Sequence, residues 1–153
     1  MSDSTHPTDD VPAKPTISIR AEWLGGHRFE TGRVGSPMAV FDGEARMGQN
    51  PVDALVSALA TCTGIDVVDI LNKRRTPAAR FVVEAHAERR PQHPRRLEKV
   101  TLTFRVDGPG IEAAHVERAA ALALEKYCSV AASLASDVVI ETVVDVNSGD
   151  VVR

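Results

Sequence analysis

The chain has 153 residues, enough for one domain with its own core, and is 43% apolar but only 4% aromatic, so that core is built from Val, Ala, Leu and Ile. A formal net charge of −3 leaves no overall positive field to gather phosphate backbones, which argues against a nucleic-acid partner. The opening segment lacks the basic start and apolar core of a signal peptide, and no apolar run approaches membrane-spanning length, so a cytoplasmic protein without a membrane partner is expected.

Residues 1 to about 15 carry Pro7, Pro12 and Pro15 among polar neighbours and are expected to form a flexible tail. A single domain over 16–147 and a short C-terminal tail over 148–153 follow. From Thr16 the pattern is β-like: Ile17, Ile19 and Ala21 alternate with Ser18, Arg20 and Glu22, and Gly25-Gly26 offers a tight turn into a return strand over 27–31. A third strand over 37–41 closes at Asp42-Gly43.

Asn50 then suits a helix cap, Pro51 the first helical position and Asp53 a capping-box carboxylate, starting a helix that runs to about residue 72. Its apolar residues wrap most of the circumference, the mark of a central helix. Cys62 lies well inside it, with Leu55, Ala58, Leu59 and Ile65 at helical-neighbour spacings.

After Thr76-Pro77, two strands over 81–87 and 100–106 are joined by a connection bearing Pro91 and Pro94. In the second, Val100, Leu102, Phe104 and Val106 share one face and Thr101, Thr103 and Arg105 the other, as in a sheet with one wet side. A second helix over about 112–127, a short third helix over 130–135 after Cys128 and a Val-rich strand over 138–146 complete the order βββ-α-ββ-α-α-β. No Gly-rich phosphate loop accompanies this order, which fits an α+β sandwich. The basic clusters Lys73-Arg74-Arg75 and Arg89-Arg90 through Arg95-Arg96 fall at a helix end and in a Pro-bearing loop, and read as solvated surface.

Two cysteines in a reducing compartment suggest a free, catalytic or redox-switching pair, with small core hydrophobes as the bland alternative. Cys62 and Cys128 are too far apart for a C-x-x-C motif, and the five histidines are scattered, so neither a metal nor another cofactor is expected.

The run from Asn50-Pro51-Val52-Asp53 through Cys62-Thr63-Gly64-Ile65-Asp66-Val67-Val68 resembles the OsmC/Ohr family, and Glu125-Lys126-Tyr127-Cys128-Ser129-Val130 resembles its second cysteine segment, closest to the YhfA-like branch. The resemblance spans about Ile17 to Val146. It implies antiparallel sheets around central cysteine-bearing helices and an intertwined homodimer with active sites at the subunit interface. It further implies that Cys62 attacks an organic hydroperoxide as thiolate and that Cys128 resolves the sulfenic acid to a disulfide, which an external dithiol reduces.

The family also uses an arginine to favour the thiolate. Arg28 is the best match, with Arg20, Arg33 and Arg46 as alternatives. The peroxidase branches carry a glutamate directly after the helix-starting proline; this chain has Val52 there and its acid at Asp53, which either orients the arginine or caps the helix. Asp66, one turn past Cys62, opposes thiol ionisation if buried beside it, while a solvated or salt-bridged position fits the pattern equally well. Three functions therefore compete: a thiol peroxidase for oxidative-stress defence, a non-enzymatic protein that binds a small apolar ligand or acts as a redox-responsive partner, and a purely structural protein with inert thiols.

Overall fold

A computed structural model describes residues 13–149, so residues 1–12 of the expected N-terminal tail and 150–153 of the expected C-terminal tail lie outside the described residues. The chain divides into two compact units, the first ending at Gly48 and the second starting at Gln49. The elements run as three strands, a long helix, two strands, two helices separated by a short π-type turn, and a last strand.

The first unit is a three-stranded antiparallel meander of β1 (Arg20–Gly25), β2 (Arg28–Gly32) and β3 (Ala39–Asp42). Gly25 and Gly26 turn the first hairpin with φ of 101° and 57°, values that cost a glycine nothing sterically. Trp23 braces the turn by donating its indole N–H to the Gly26 carbonyl at 2.9 Å. At the far end Asp42, only 4% exposed, folds the following loop around its carboxylate, which accepts from the backbone N–H groups of Glu44, Arg46 and Met47 at 2.9, 3.2 and 3.0 Å.

The second unit is built on α1 (Pro51–Lys73), 23 residues and hence about 35 Å long. Its start follows the sequence pattern: Asn50 Oδ1 accepts from Val52 N–H at 2.9 Å and Asp53 N–H at 3.0 Å. Contrary to the sequence expectation, α1 is long and apolar enough by length and composition to cross a membrane. One side of it meets protein: Leu59, Val67 and Leu71 are fully buried, and the helix packs on β4 (Arg80–Arg89) and on α2 (Ala113–Leu122), while Leu55 and Ile65 are exposed. Gly64 permits the close approach to the sheet, since a Cβ there would sit 3.3 Å from Val83 and 3.4 Å from Phe81.

β4 pairs antiparallel with β5 (Leu97–Asp107), whose Val100, Leu102, Phe104 and Val106 are all fully buried while Thr101, Thr103 and Arg105 face the wetter side. Burying each of these apolar side chains is worth roughly 1.5–3 kcal/mol. Small residues on α2, Ala119 and Ala120, then Ala123 beyond it, complete the core with Val116.

The last strand, β6 (Val139–Val146), corrects the expectation of antiparallel sheets: it pairs with β5 in parallel. The physical reason is the connection. β5 is followed by a helical crossover rather than a hairpin, and the crossover returns the chain to the starting end of the sheet. Arg105, on the middle strand, ties both neighbours together through Glu84 on β4 at 3.1 Å and Asp145 on β6 at 2.7 Å.

Removing the cap should destabilise this unit without altering its packing. Asn50→Ala is expected to cost about 1 kcal/mol in denaturant unfolding, with an unchanged slope against denaturant concentration. A change below about 0.3 kcal/mol would mean that the α1 terminus is held by something other than this side chain.

Candidate functional site

α1 carries Cys62 at its midpoint, on backbone held by regular helical hydrogen bonds, and leaves the thiol half-buried against the core. The second cysteine arrives differently. The regular part of α2 ends at Leu122, and residues Ala123–Tyr127 form a π-type turn in which Cys128 N–H donates to the Ala123 carbonyl at 2.8 Å. The expected continuous helix to residue 127 is thus interrupted, and Cys128 is not helical. It occupies the cap of α3 (Ser129–Ser133) with extended backbone, φ −70° and ψ 97°.

This break turns Cys128 inward, to 2% exposure, while the adjacent Tyr127 stays largely exposed. The Cys128 sulfur takes the role that a Ser or Asp oxygen has at other helix starts, accepting from Ala131 N–H at 3.4 Å. It also lies 3.5 Å from the hydroxyl of Thr63, a fully buried residue that sequence reasoning passed over.

The two thiols, distant in sequence, are therefore neighbours in the fold, and each is free. Burial pushes the Cys62 thiol above its ordinary value; the Val130 N–H pulls it back down, while Cys128 and the carboxylate of Asp66 add to the upward push. Asp66 Oδ2 is buried and has no hydrogen-bond partner among the described residues. Of the groups acting on Cys62, Asp66 makes the smallest upward contribution.

Asp53 and Arg28 each have local neighbours of their own. Asp53 is engaged locally, its carboxylate accepting from the Asn50 side-chain amide at 2.7 Å, which makes it part of the cap. Arg28 belongs to the first unit, where it stands opposite Asp42 in the β2–β3 register. Hydrogen bonds from the loop backbone hold the Asp42 carboxyl below the usual range, with the Arg28 charge contributing. Asp42 is thus the carboxylate beside Arg28, and its sequence signal was an Asp-Gly pair taken only as a turn.

Among the described residues, the two larger cavities beside α1 lie within the second unit. One, of about 360 Å³, is lined by Val52, Asp53, Val56, Ser57, Ala85 and Arg89 among others. The other, of about 480 Å³, is more apolar, with Ala60, Gly64, Ile65, Val68, Phe81 and Val83 in its wall.

Residues 42–143 match the family model described as OsmC-like protein. The chain is 34% identical over 119 residues to Protein YhfA of Escherichia coli K12, covering 77% of this chain and 89% of that protein. Among solved structures, the fold is similar to an OsmC-like protein from Mycoplasma pneumoniae, with a TM-score of 0.74 at 15% identity, covering 88% of this chain and 99% of that one. It is also similar to the organic hydroperoxide resistance protein OhrB of Bacillus subtilis, with a TM-score of 0.59 at 14% identity, covering 85% and 98%.

Because the thiolate is the reactive form, Cys62 should react slowly at neutral pH and accelerate as pH rises through a range above the usual thiol value. Asp66→Asn removes one of the groups that oppose ionisation and should move the pH profile of Cys62 alkylation to lower pH. An unmoved profile would show that Asp66 does not act on the thiol.

Proposed function

The chain belongs to the OsmC-like protein family, and from that premise we propose that it is a thiol peroxidase for organic hydroperoxides, with Cys62 and Cys128 as its redox pair. The observation that carries this reading is the juxtaposition of a half-buried thiol on α1 with a fully buried one at the α3 cap. An accessible sulfur is suited to attack, and a sheltered one beside it is suited to resolution.

In the first step the Cys62 thiolate attacks the terminal oxygen of the hydroperoxide. The O–O bond breaks, the alkoxide leaves and takes a proton from solvent to become an alcohol, and Cys62 is oxidised to a sulfenic acid. In the second, the Cys128 sulfur attacks the sulfenic sulfur; hydroxide leaves with the Cys128 proton as water, and a disulfide forms. An external dithiol then reduces that disulfide by two exchanges, becoming a disulfide itself. Arg28 is the proposed cation favouring the thiolate, Asp53 serves as helix cap, and the working form is a cytoplasmic homodimer.

A second reading rests on the apolar cavity beside α1 and on Val52, which stands where the peroxidase branches have glutamate: a non-enzymatic protein that holds a small apolar ligand or responds to redox state. The upward push on the Cys62 thiol also favours it, because a protonated sulfur is a poor nucleophile.

Turnover of cumene hydroperoxide with dithiothreitol as reductant separates the two. The peroxidase reading expects Cys62→Ser to fall to the uncatalysed rate, and Cys128→Ser to accumulate a sulfenic acid that dimedone traps. Negligible turnover by the wild-type protein, with both thiols still free afterwards, would sink it and favour ligand binding. Sedimentation of the reduced protein is expected to give about twice the monomer mass of 16.4 kDa; a monomer would remove the homodimer.

A further inference from the structure

Thr63 has no assigned part in the chemistry, yet it is fully buried and its hydroxyl stands between two acceptor-rich atoms of the site. Its Oγ1 lies 2.9 Å from the Leu59 carbonyl and 3.5 Å from Cys128 Sγ. A hydroxyl has one proton and two lone pairs, whereas a carbonyl can only accept. The short contact to Leu59 therefore uses the Thr63 proton, and a lone pair is what Oγ1 turns toward the sulfur. The remaining contact is satisfied when Cys128 is a thiol and donates its S–H to Thr63, while the same sulfur accepts from Ala131 N–H at 3.4 Å.

Cys128 is thus held by the protein from two sides. Cys62 is held less: its sulfur accepts from Val130 N–H, it shares a side-chain hydrogen bond with Cys128, and it reaches solvent. The geometry assigns Thr63 as the positioning residue for Cys128, aiming its sulfur while the more accessible Cys62 attacks, and then supporting Cys128 as it closes the disulfide. On the Thr63 side, the second part needs no heavy-atom movement. Rotation about the Thr63 Cβ–Oγ1 bond swings the hydroxyl proton from the Leu59 carbonyl to Cys128 Sγ, where it stabilises the negative charge that builds on sulfur as the S–H proton departs.

This inference rests on the redox-pair reading, so its test uses one readout that requires peroxide chemistry and two that do not. Thr63→Val keeps the size and removes the hydroxyl; Thr63→Ser keeps the hydroxyl. In a Cys62→Ala background, the infrared S–H stretch of Cys128 should move to higher wavenumber in Thr63→Val and stay near the wild-type position in Thr63→Ser. With both cysteines present, diamide caps Cys62 as a sulfenylhydrazine, which Cys128 displaces to form the disulfide and release the hydrazine product. That closing step should slow about tenfold in Thr63→Val and recover in Thr63→Ser. With hydroperoxide, the sulfenic acid should persist about tenfold longer in Thr63→Val while its rate of formation changes by less than about twofold.

An unmoved S–H stretch, or disulfide closure as fast in a folded Thr63→Val protein as in the wild type, would overturn the assignment. A shifted stretch and slowed diamide closure in a protein that turns over no hydroperoxide would support the role of Thr63 while the peroxidase reading falls.

Discussion

The second unit depends on burying one face of a long helix. α1 lays that face on β4, α2 and α3, while Leu55 and Ile65 on its other side stay exposed. Its own residues provide for that: Leu59, Val67 and Leu71 fill the core, and Gly64 removes the side chain that would hold the helix away from Val83 and Phe81. Burial of these apolar groups is the dominant favourable contribution, while the Asn50 cap chiefly fixes where the helix begins. With that start fixed, the helical period decides which side chains meet the break between α2 and α3. Thr63 meets the second cysteine there, and Cys62 stands one residue before it with partial access to solvent.

Much of this was legible in the sequence because local and long-range signals agree. The Asn50-Pro51-Asp53 start, the alternation along β5 and the Gly25-Gly26 turn each rest on backbone chemistry that does not depend on distant contacts. The cysteine segments were visible as a family resemblance, and the neighbouring position of the two thiols adds physical content to it. The proton affinity of Cys62 was legible only in part. Asp66 was recognisable at helical spacing, but the strength of burial and the approach of Cys128 come from tertiary packing.

The misreadings have specific causes. Strand direction in β6 is set by the length and path of a crossover, which no periodicity within the strand encodes. The interruption at residues 123–127 is a shift in hydrogen-bond partner by one residue; Ala-Leu-Glu-Lys-Tyr is a good helical sequence and gives no warning of it. Asp42 looked like turn punctuation because its three backbone donors come from the loop it organises. Thr63 was overlooked for a related reason. A threonine inside an apolar helix can satisfy itself against the preceding turn, and only the arrival of Cys128 from elsewhere in the chain gives its oxygen a second contact.

The scarcity of aromatic residues leaves one tryptophan and one tyrosine in the chain, and they fall in different units. Trp23 is in the first hairpin, largely exposed and tied to Gly26, whereas Tyr127 ends the turn directly before Cys128. The molecule thus carries two separate optical reporters. Emission excited selectively at the indole reports on the three-stranded meander, and phenol absorbance on the backbone that delivers the second thiol. Neither ring belongs to the buried core that holds α1, so a melting curve taken by intrinsic fluorescence would record a local event, and the core itself would be followed by helical ellipticity.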